Sequence, residues 1–403
     1  MIFGSVDRTK KGGIPRGLSQ TAPILFCYGF RPFFLGAAIW AVVVMALWIA
    51  SLTGVIAIAE DYGPTHWHAH EMLFGYSSAV LAGFLLTAVP NWTGRLPVSG
   101  WPLFFLFALW VAGRLVFLLP DVAGGAAAVV DSLFLPVLLL ICIREVVAGR
   151  KWKDLKVMSG LLALSAGNIL FHLEVIRGGH PDVAIKLAVS AYVLLVMIVG
   201  GRIIPSFTRN WINKSGRTDF PAPYDRFDSA AIVTGVAALA AWIILPPGPW
   251  VALLTGAAFL MQFARLTRWR GWTVTDEHLV TVLHVAYFFV PLGFLGLTLS
   301  ALELVSPMAA LHVLTVGTVA SMMLAVMTRA TRGHTGRVLT ASTTTSLAYA
   351  AIILAALLRP AADFFPGQTP TLYAASGLAW LVAFSLYLIE YGPMLAKVRR
   401  KIG

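Results

Sequence analysis

Residues 32–53 read PFFLGAAIWAVVVMALWIASLT and carry no charged side chain. A bilayer core about 30 Å thick needs roughly 20 apolar residues in a helix, so this run can cross a membrane. The whole chain agrees, because 58% of its 403 residues are hydrophobic and only 12% are charged, against about 25% charged residues in a typical soluble domain. The sequence predicts an all-α polytopic membrane protein and excludes a soluble enzyme, a disordered chain and a disulfide-rich secreted module.

Eleven further stretches are similarly apolar, so we predict twelve transmembrane helices in one membrane domain, 32–391. A basic arm, 1–31, precedes this domain, and a basic tail, 392–403, follows it. The predicted spans are 32–53, 68–90, 101–119, 123–143, 157–177, 182–204, 228–246, 249–266, 277–299, 305–329, 340–359 and 370–391.

The net charge of +12 is distributed unevenly along the chain. Lys and Arg collect in the arm, the tail and alternate loops, whereas the loops between carry mainly acidic residues. Cytoplasmic loops of membrane proteins are enriched in Lys and Arg, so both termini are predicted to be cytoplasmic. The basic charge is thereby explained without nucleic-acid binding. The basic loops lie at 144–156, 202–226, 265–270 and 329–337.

Spans two and ten share a pattern of residues at a constant offset of 242, which predicts an internal repeat. Span six is a weaker third copy with Ile185 at the histidine position, and the alternative is chance recurrence of small residues. A true repeat would give three four-helix units about a pseudo-threefold axis. The matched residues are His70 with His312, Gly75 with Gly317 and Arg95 with Arg337.

Histidines inside or at the mouths of spans are the main candidates for a functional site, because ionisable residues in a membrane are costly. Neutral imidazole is a common ligand of haem iron, copper and zinc. The alternatives are a solvated helix mouth and hydrogen bonds between neighbouring helices. Residues predicted to bind a cofactor are His70, His312, His172 and His284; predicted metal ligands are His66, His68, His70, His172 and His312.

Other polar residues are expected to support such a site. Glu71 follows His70 directly and could orient its ring. Arg31, Arg202 and Arg329 could pair with haem propionates, although anchoring at the cytoplasmic face explains arginines equally well. Few carboxylates lie inside spans, which favours a cofactor protein over a proton-coupled transporter.

Four motifs resemble the NnrS family over essentially the whole chain: WHAHEM at 67–72, GFLLTAVPNWTG at 83–94, GRIIPSFTRN at 201–210 and VMTRATRGHTGR at 326–337. The resemblance implies a polytopic protein of the bacterial inner membrane that binds haem, of b-type, and copper. It also implies a role in nitric oxide metabolism and nitrosative-stress defence.

The leading functional hypothesis is reduction or detoxification of nitric oxide at a histidine-ligated metal, with electrons from an unidentified donor. Nitric oxide is small and apolar, so it could enter from the lipid bilayer. The four-helix periodicity is also similar to that of the haem–copper oxidase catalytic subunit. The superfamily of these oxidases includes nitric oxide reductases. However, span 228–246 contains no histidine, which argues against a binuclear centre of the standard kind. A transporter of metal or another small solute and a non-catalytic haem-based nitric oxide sensor remain alternatives.

Overall fold

The computed structural model describes residues 22–59, 62–119 and 124–398. Within these ranges the chain is built from helices without strands. The principal helices are α1 Phe30–Leu52, α2 Pro64–Thr93, α3 Trp101–Val116, α4 Gly124–Ala148, α5 Leu155–Ile176, α6 Asp182–Lys214, α7 Arg226–Ile244, α8 Pro249–Thr267, α9 His278–Ala301, α10 Pro307–His334, α11 Thr343–Ala361 and α12 Thr369–Ala396.

Eleven of these helices are long and apolar enough to cross a membrane, which confirms the class of all-α polytopic membrane protein. The helix at the third predicted span, α3, has 16 residues, or about 24 Å at 1.5 Å per residue. It is therefore shorter than the 101–119 stretch predicted from hydropathy. Most of the basic arm, up to residue 21, and the end of the tail, 399–403, lie outside the described residues.

Helix α2 lies at the centre of the bundle. Its apolar window is 83% buried inside the protein, a larger share than for any other candidate span among the described residues. It packs against α1, α4 and α10. Outer helices instead expose large apolar side chains, such as Leu140, Leu260 and Ile389, each about two-thirds accessible. Such a surface is stable in lipid rather than in water.

Glycines set the limits of α2. Gly63 has φ +72° immediately before Pro64, and Gly94 has φ +74° immediately after Thr93. Only glycine adopts this left-handed conformation without a steric cost. Proline at the first helical position has a φ already suited to the helix. The sequence therefore fixes both ends of the helix that carries the WHAHEM motif.

Among the described residues, three helices contain a π-helical segment, and they are spaced four helices apart: α2, α6 and α10. The segment in α2 is Glu71–Tyr76 and begins directly after His70. The segment in α10 is Val313–Ala320 and begins directly after His312. In α6 the segment is Val196–Gly200, which lies later in the predicted repeat. The common position in α2 and α10 supports their repeat, while the pseudo-threefold arrangement stays a prediction.

Candidate metal centre

Polar side chains from four helices meet at one end of the bundle. His70 lies six residues from the start of α2, about 9 Å along the helix, and His172 lies four residues from the end of α5. Arg114 is near the end of α3, and Asp131 is in the first part of α4. Because α2 and α4 run in the opposite direction to α3 and α5, these positions all lie at one end of the bundle, opposite the basic loops.

Asp131 is the centre of this cluster. Its Oδ2 atom lies 3.1 Å from Nε2 of His70 and 2.9 Å from Nε2 of His172. The Asn168 side chain, one turn before His172, donates from Nδ2 to the same oxygen over 2.9 Å. Its Oδ1 atom lies 3.0 Å from Nε2 of His70. Two imidazole nitrogens, a carboxylate and an amide oxygen therefore converge on one point.

The other nitrogen of each ring is also held. Nδ1 of His70 lies 3.0 Å from Oε1 of Glu71, and Nδ1 of His172 lies 2.8 Å from the hydroxyl of Tyr62. Metal-binding histidines characteristically have such a partner, which fixes the ring orientation and makes the ligating nitrogen more basic. Both rings of the cluster have this arrangement.

Arg114 joins the two carboxylates. It donates from Nη1 to Oε2 of Glu71 over 2.9 Å and from Nη2 to Oδ1 of Asp131. Trp40 donates to the same Glu71 oxygen over 2.7 Å. With neutral imidazoles, the two carboxylates and one guanidinium leave a net charge of −1. A further cation, either a proton on a histidine or a metal ion, would neutralise the cluster.

The cluster is shielded from water. The exposed fractions of His70, Glu71, Asp131 and His172 are all 2% or less. The ring of His70 contacts the rings of three phenylalanines at centroid distances of 5.3–5.4 Å; they are Phe74, Phe117 and Phe171. Uncompensated charge is very costly in such surroundings, so this much charge is tolerated only as a paired network.

The donor set fits a metal ion. One atom from each of His70, Asp131 and His172 can be chosen so that all three lie within 4.8 Å of one another. Imidazole with a carboxylate suits copper, zinc or non-haem iron. The same set does not select among these metals, because all three accept nitrogen and oxygen ligands.

The described residues do not indicate where a haem would bind. A haem needs an axial ligand at the wall of a cavity wide enough for the macrocycle. Two cavities among the described residues measure about 580 and 800 Å³, and neither has a histidine in its wall. These cavities therefore offer no axial histidine for haem iron.

The remaining predicted histidines lie outside the His70 cluster. His66 donates from Nδ1 to the Tyr62 carbonyl over 3.1 Å. The ring of His68 stacks on Trp48 at 4.5 Å, and His312 donates to the Met308 carbonyl over 2.8 Å. His68 and His312 are near enough for their charges to interact.

His284 is at the opposite end of the bundle from the His70 cluster. Its Nε2 atom lies 2.8 Å from the hydroxyl of Thr208. That hydroxyl donates to the Ile204 carbonyl, so it accepts from His284. The sequence suggested that His284 does not share a site with His70, and the structure separates them.

The three arginines predicted to pair with propionates also lie at the basic end. Arg31 donates to the Leu395 and Lys397 carbonyls at the end of α12. Arg202 pairs with Asp154 at 3.2 Å, and the guanidinium of Arg329 lies 3.9 Å above the ring of Phe207. The arginine in the histidine cluster is instead Arg114.

Sequence reasoning did not assign Asp131, Asn168, Tyr62 and Arg114 to the site. An available signal was the rarity of charge inside a span: Asp131 and Arg114 each interrupt an apolar run. Asn168 is four residues before His172 and so shares its helix face. Tyr62 lies in a loop, and no sequence pattern links it to His172.

The fold and the cluster together define an all-α polytopic membrane protein with a buried histidine–carboxylate centre. A family model described as NnrS protein matches residues 24–399, so the chain belongs to the NnrS family. Membership fits a membrane protein related to nitric oxide. A search of curated proteins found no match.

Proposed function

We propose that this protein binds copper at His70, Asp131 and His172 and handles nitric oxide there, in the bacterial inner membrane, as part of nitrosative-stress defence. One observation carries the proposal: both imidazoles present Nε2 to Asp131 while Glu71 and Tyr62 hold their Nδ1 atoms. Family membership supplies the connection with nitric oxide.

The surroundings of the cluster suit an apolar, neutral substrate. Phenylalanine rings cover His70, and the helices around it face lipid. Nitric oxide enters such surroundings with little desolvation cost because it is neutral and apolar, whereas the desolvation of an ion would cost a large amount of free energy. We infer that nitric oxide reaches the centre from the bilayer rather than through an aqueous channel.

The chain's own residues have distinct tasks in this proposal. A copper ion held by His70, Asp131 and His172 would supply redox chemistry for nitric oxide. Arg114 neutralises the oxygen of Asp131 that does not face the histidines, and Glu71 holds the His70 ring in one orientation. Reduction of nitric oxide also requires electrons and protons, which an external donor and water must provide.

The test is a metal inventory of the purified protein and of His172→Ala. The control is His180→Ala, which removes an exposed histidine from a loop. We expect copper near one ion per chain in the wild type and the control, and a loss of at least tenfold in His172→Ala. Equal copper in all three proteins, or none in the wild type after growth with copper, would refute the assigned ligands.

A second measurement separates turnover from binding. Nitric oxide consumption is followed with an electrode in the presence of a chemical reductant. Consumption by the wild type and the control, with loss in His172→Ala, supports reduction or detoxification. A change in the copper spectrum on adding nitric oxide, without consumption, would instead indicate a sensor.

A further inference from the structure

A polar cavity lies between α5, α6 and α7, at the end of the bundle opposite the His70 cluster. Its volume is about 800 Å³. Residues near the start of α5, in the second half of α6, in the loop before α7 and in the first turns of α7 line it. The cavity is thus far along the helix axes from the histidine cluster, and the proposed function does not use it.

Basic side chains dominate the polar part of the wall. The four basic residues that line the cavity are Lys153, Lys156, Arg202 and Arg209. Both lysines are exposed and make no ion pair with the described residues. Arg202 contacts Asp154, and the guanidinium of Arg209 lies 5.4 Å from the ring centroid of Phe220.

A buried arginine adds an unpartnered donor. Arg265 is fully buried and uses Nε for Asp228 and Nη1 for the Met197 carbonyl and the Tyr287 hydroxyl, each at 2.9 Å. Its Nη2 has no hydrogen-bond partner in the part of the chain that the structure describes. A buried donor without an acceptor is unfavourable, most of all when it is charged, so a ligand or water that accepts from it would stabilise the site.

The free donor lies directly behind the cavity wall. Nη2 of Arg265 is 2.2 Å from the place where a Cβ of Gly201 would lie, and Gly201 and Asp228 both line the cavity. The absence of a side chain at Gly201 is therefore what makes room for the guanidinium. The π-helical segment Val196–Gly200 directly precedes this glycine.

The charge of the site favours an anion. Four basic residues and one carboxylate, Asp228, line the cavity. Their ion-pair partners outside the lining, Arg265 and Asp154, add one charge of each sign, so the surplus is three positive charges. Part of the wall is apolar, and Val233 on α7 belongs to it while exposing 67% of its surface. The cavity therefore joins a basic surface to the lipid-facing side of the bundle.

We propose that this cavity binds the phosphate group of an anionic molecule at the basic end of the membrane domain. Guanidinium and ammonium groups together are suited to phosphate oxygens. Basic pockets between transmembrane helices bind anionic lipid headgroups in this way. The phosphate belongs either to a phospholipid headgroup or to a soluble phosphate ester.

The test compares Lys153→Gln/Lys156→Gln with Lys151→Gln/Lys214→Gln, which removes the same charge near the same end but outside the cavity. Delipidated full-length protein is titrated with phosphatidylglycerol and, separately, with phosphatidylcholine, and bound lipid is counted by native mass spectrometry. We expect the cavity variant to bind phosphatidylglycerol about tenfold more weakly than the wild type, and the control variant to change little.

A second arm identifies the source of the phosphate. Glycerol 3-phosphate is titrated by calorimetry into the wild type and both variants. Preference for phosphatidylglycerol, lost only in the cavity variant, identifies a lipid headgroup, whereas binding of glycerol 3-phosphate with the same dependence identifies a soluble ester. If the cavity and control variants behave alike in both titrations, the proposed phosphate site is wrong. The proposed function has its own test, which is the copper content of the wild type and of His172→Ala.

Discussion

At the scale of single residues, the cluster depends on which nitrogen each partner holds. The Tyr62 hydroxyl contacts Nδ1 of His172, and Glu71 contacts Nδ1 of His70. These contacts leave both Nε2 atoms directed at Asp131. A residue that only holds a ring in place can therefore influence metal affinity without being a ligand.

The first prediction concerns this indirect effect. Tyr62→Phe removes the hydroxyl that holds His172 but keeps the aromatic ring that packs against Phe117. We expect metal affinity to fall by about 10- to 100-fold with little change in thermal stability. The measurement is a copper competition titration, with Tyr373→Phe as the matched control on α12.

An unchanged affinity in Tyr62→Phe would contradict the role of the hydroxyl. A large fall in the melting temperature would instead show that Tyr62 acts by packing. Measuring both quantities on the same preparation distinguishes these outcomes.

At the scale of helices, the π-helical segments of α2 and α10 each contain a glycine at a close approach. A Cβ at Gly75 would lie 2.3 Å from Nη1 of Arg114 and 2.6 Å from Oε2 of Glu71. A Cβ at Gly317 would lie 2.4 Å from the ring of Phe289. The two glycines are equivalent in the predicted repeat, but only Gly75 adjoins the candidate metal centre.

The second prediction uses this pair. Gly75→Ala and Gly317→Ala should each destabilise the protein by about 1–3 kcal/mol, because both overpack a tight helix contact. Only Gly75→Ala should also lower metal content, since it displaces Arg114 and Glu71. Gly125→Ala, where a Cβ would meet nothing within 4 Å, is the control.

Thermal unfolding in detergent and a metal assay measure these effects. Loss of metal in both alanine variants would mean that the assay follows general destabilisation. Retention of metal in a folded Gly75→Ala protein would argue against the assigned centre.

At the scale of the whole molecule, charge is separated along the helix axes. The loops at 144–156 and 202–226 are basic and lie at the end of the bundle away from His70. The positive-inside rule predicts that this end faces the cytoplasm. In that orientation, the candidate metal centre would lie toward the outer surface and the basic cavity toward the inner one.

The third prediction tests this orientation. A fluorescent protein fused after residue 403 should fluoresce, because this reporter folds in the cytoplasm. Alkaline phosphatase inserted at 118–119, between α3 and α4, should be active, because that enzyme needs an oxidising compartment. The same enzyme inserted at 149–150, between α4 and α5, should be inactive, and the opposite pattern would reverse the orientation.

The sequence by itself determined the class of fold, because a bilayer imposes a length and an apolarity that can be counted along the chain. It also indicated the repeat of α2 and α10 and included His70 and His172 among six candidate ligands out of nine histidines. Only the tertiary structure decided that Asp131, Asn168 and Tyr62 join these two residues while His312 does not. Whether side chains from different helices meet depends on how those helices rotate and pack, and hydropathy carries no information about helix rotation.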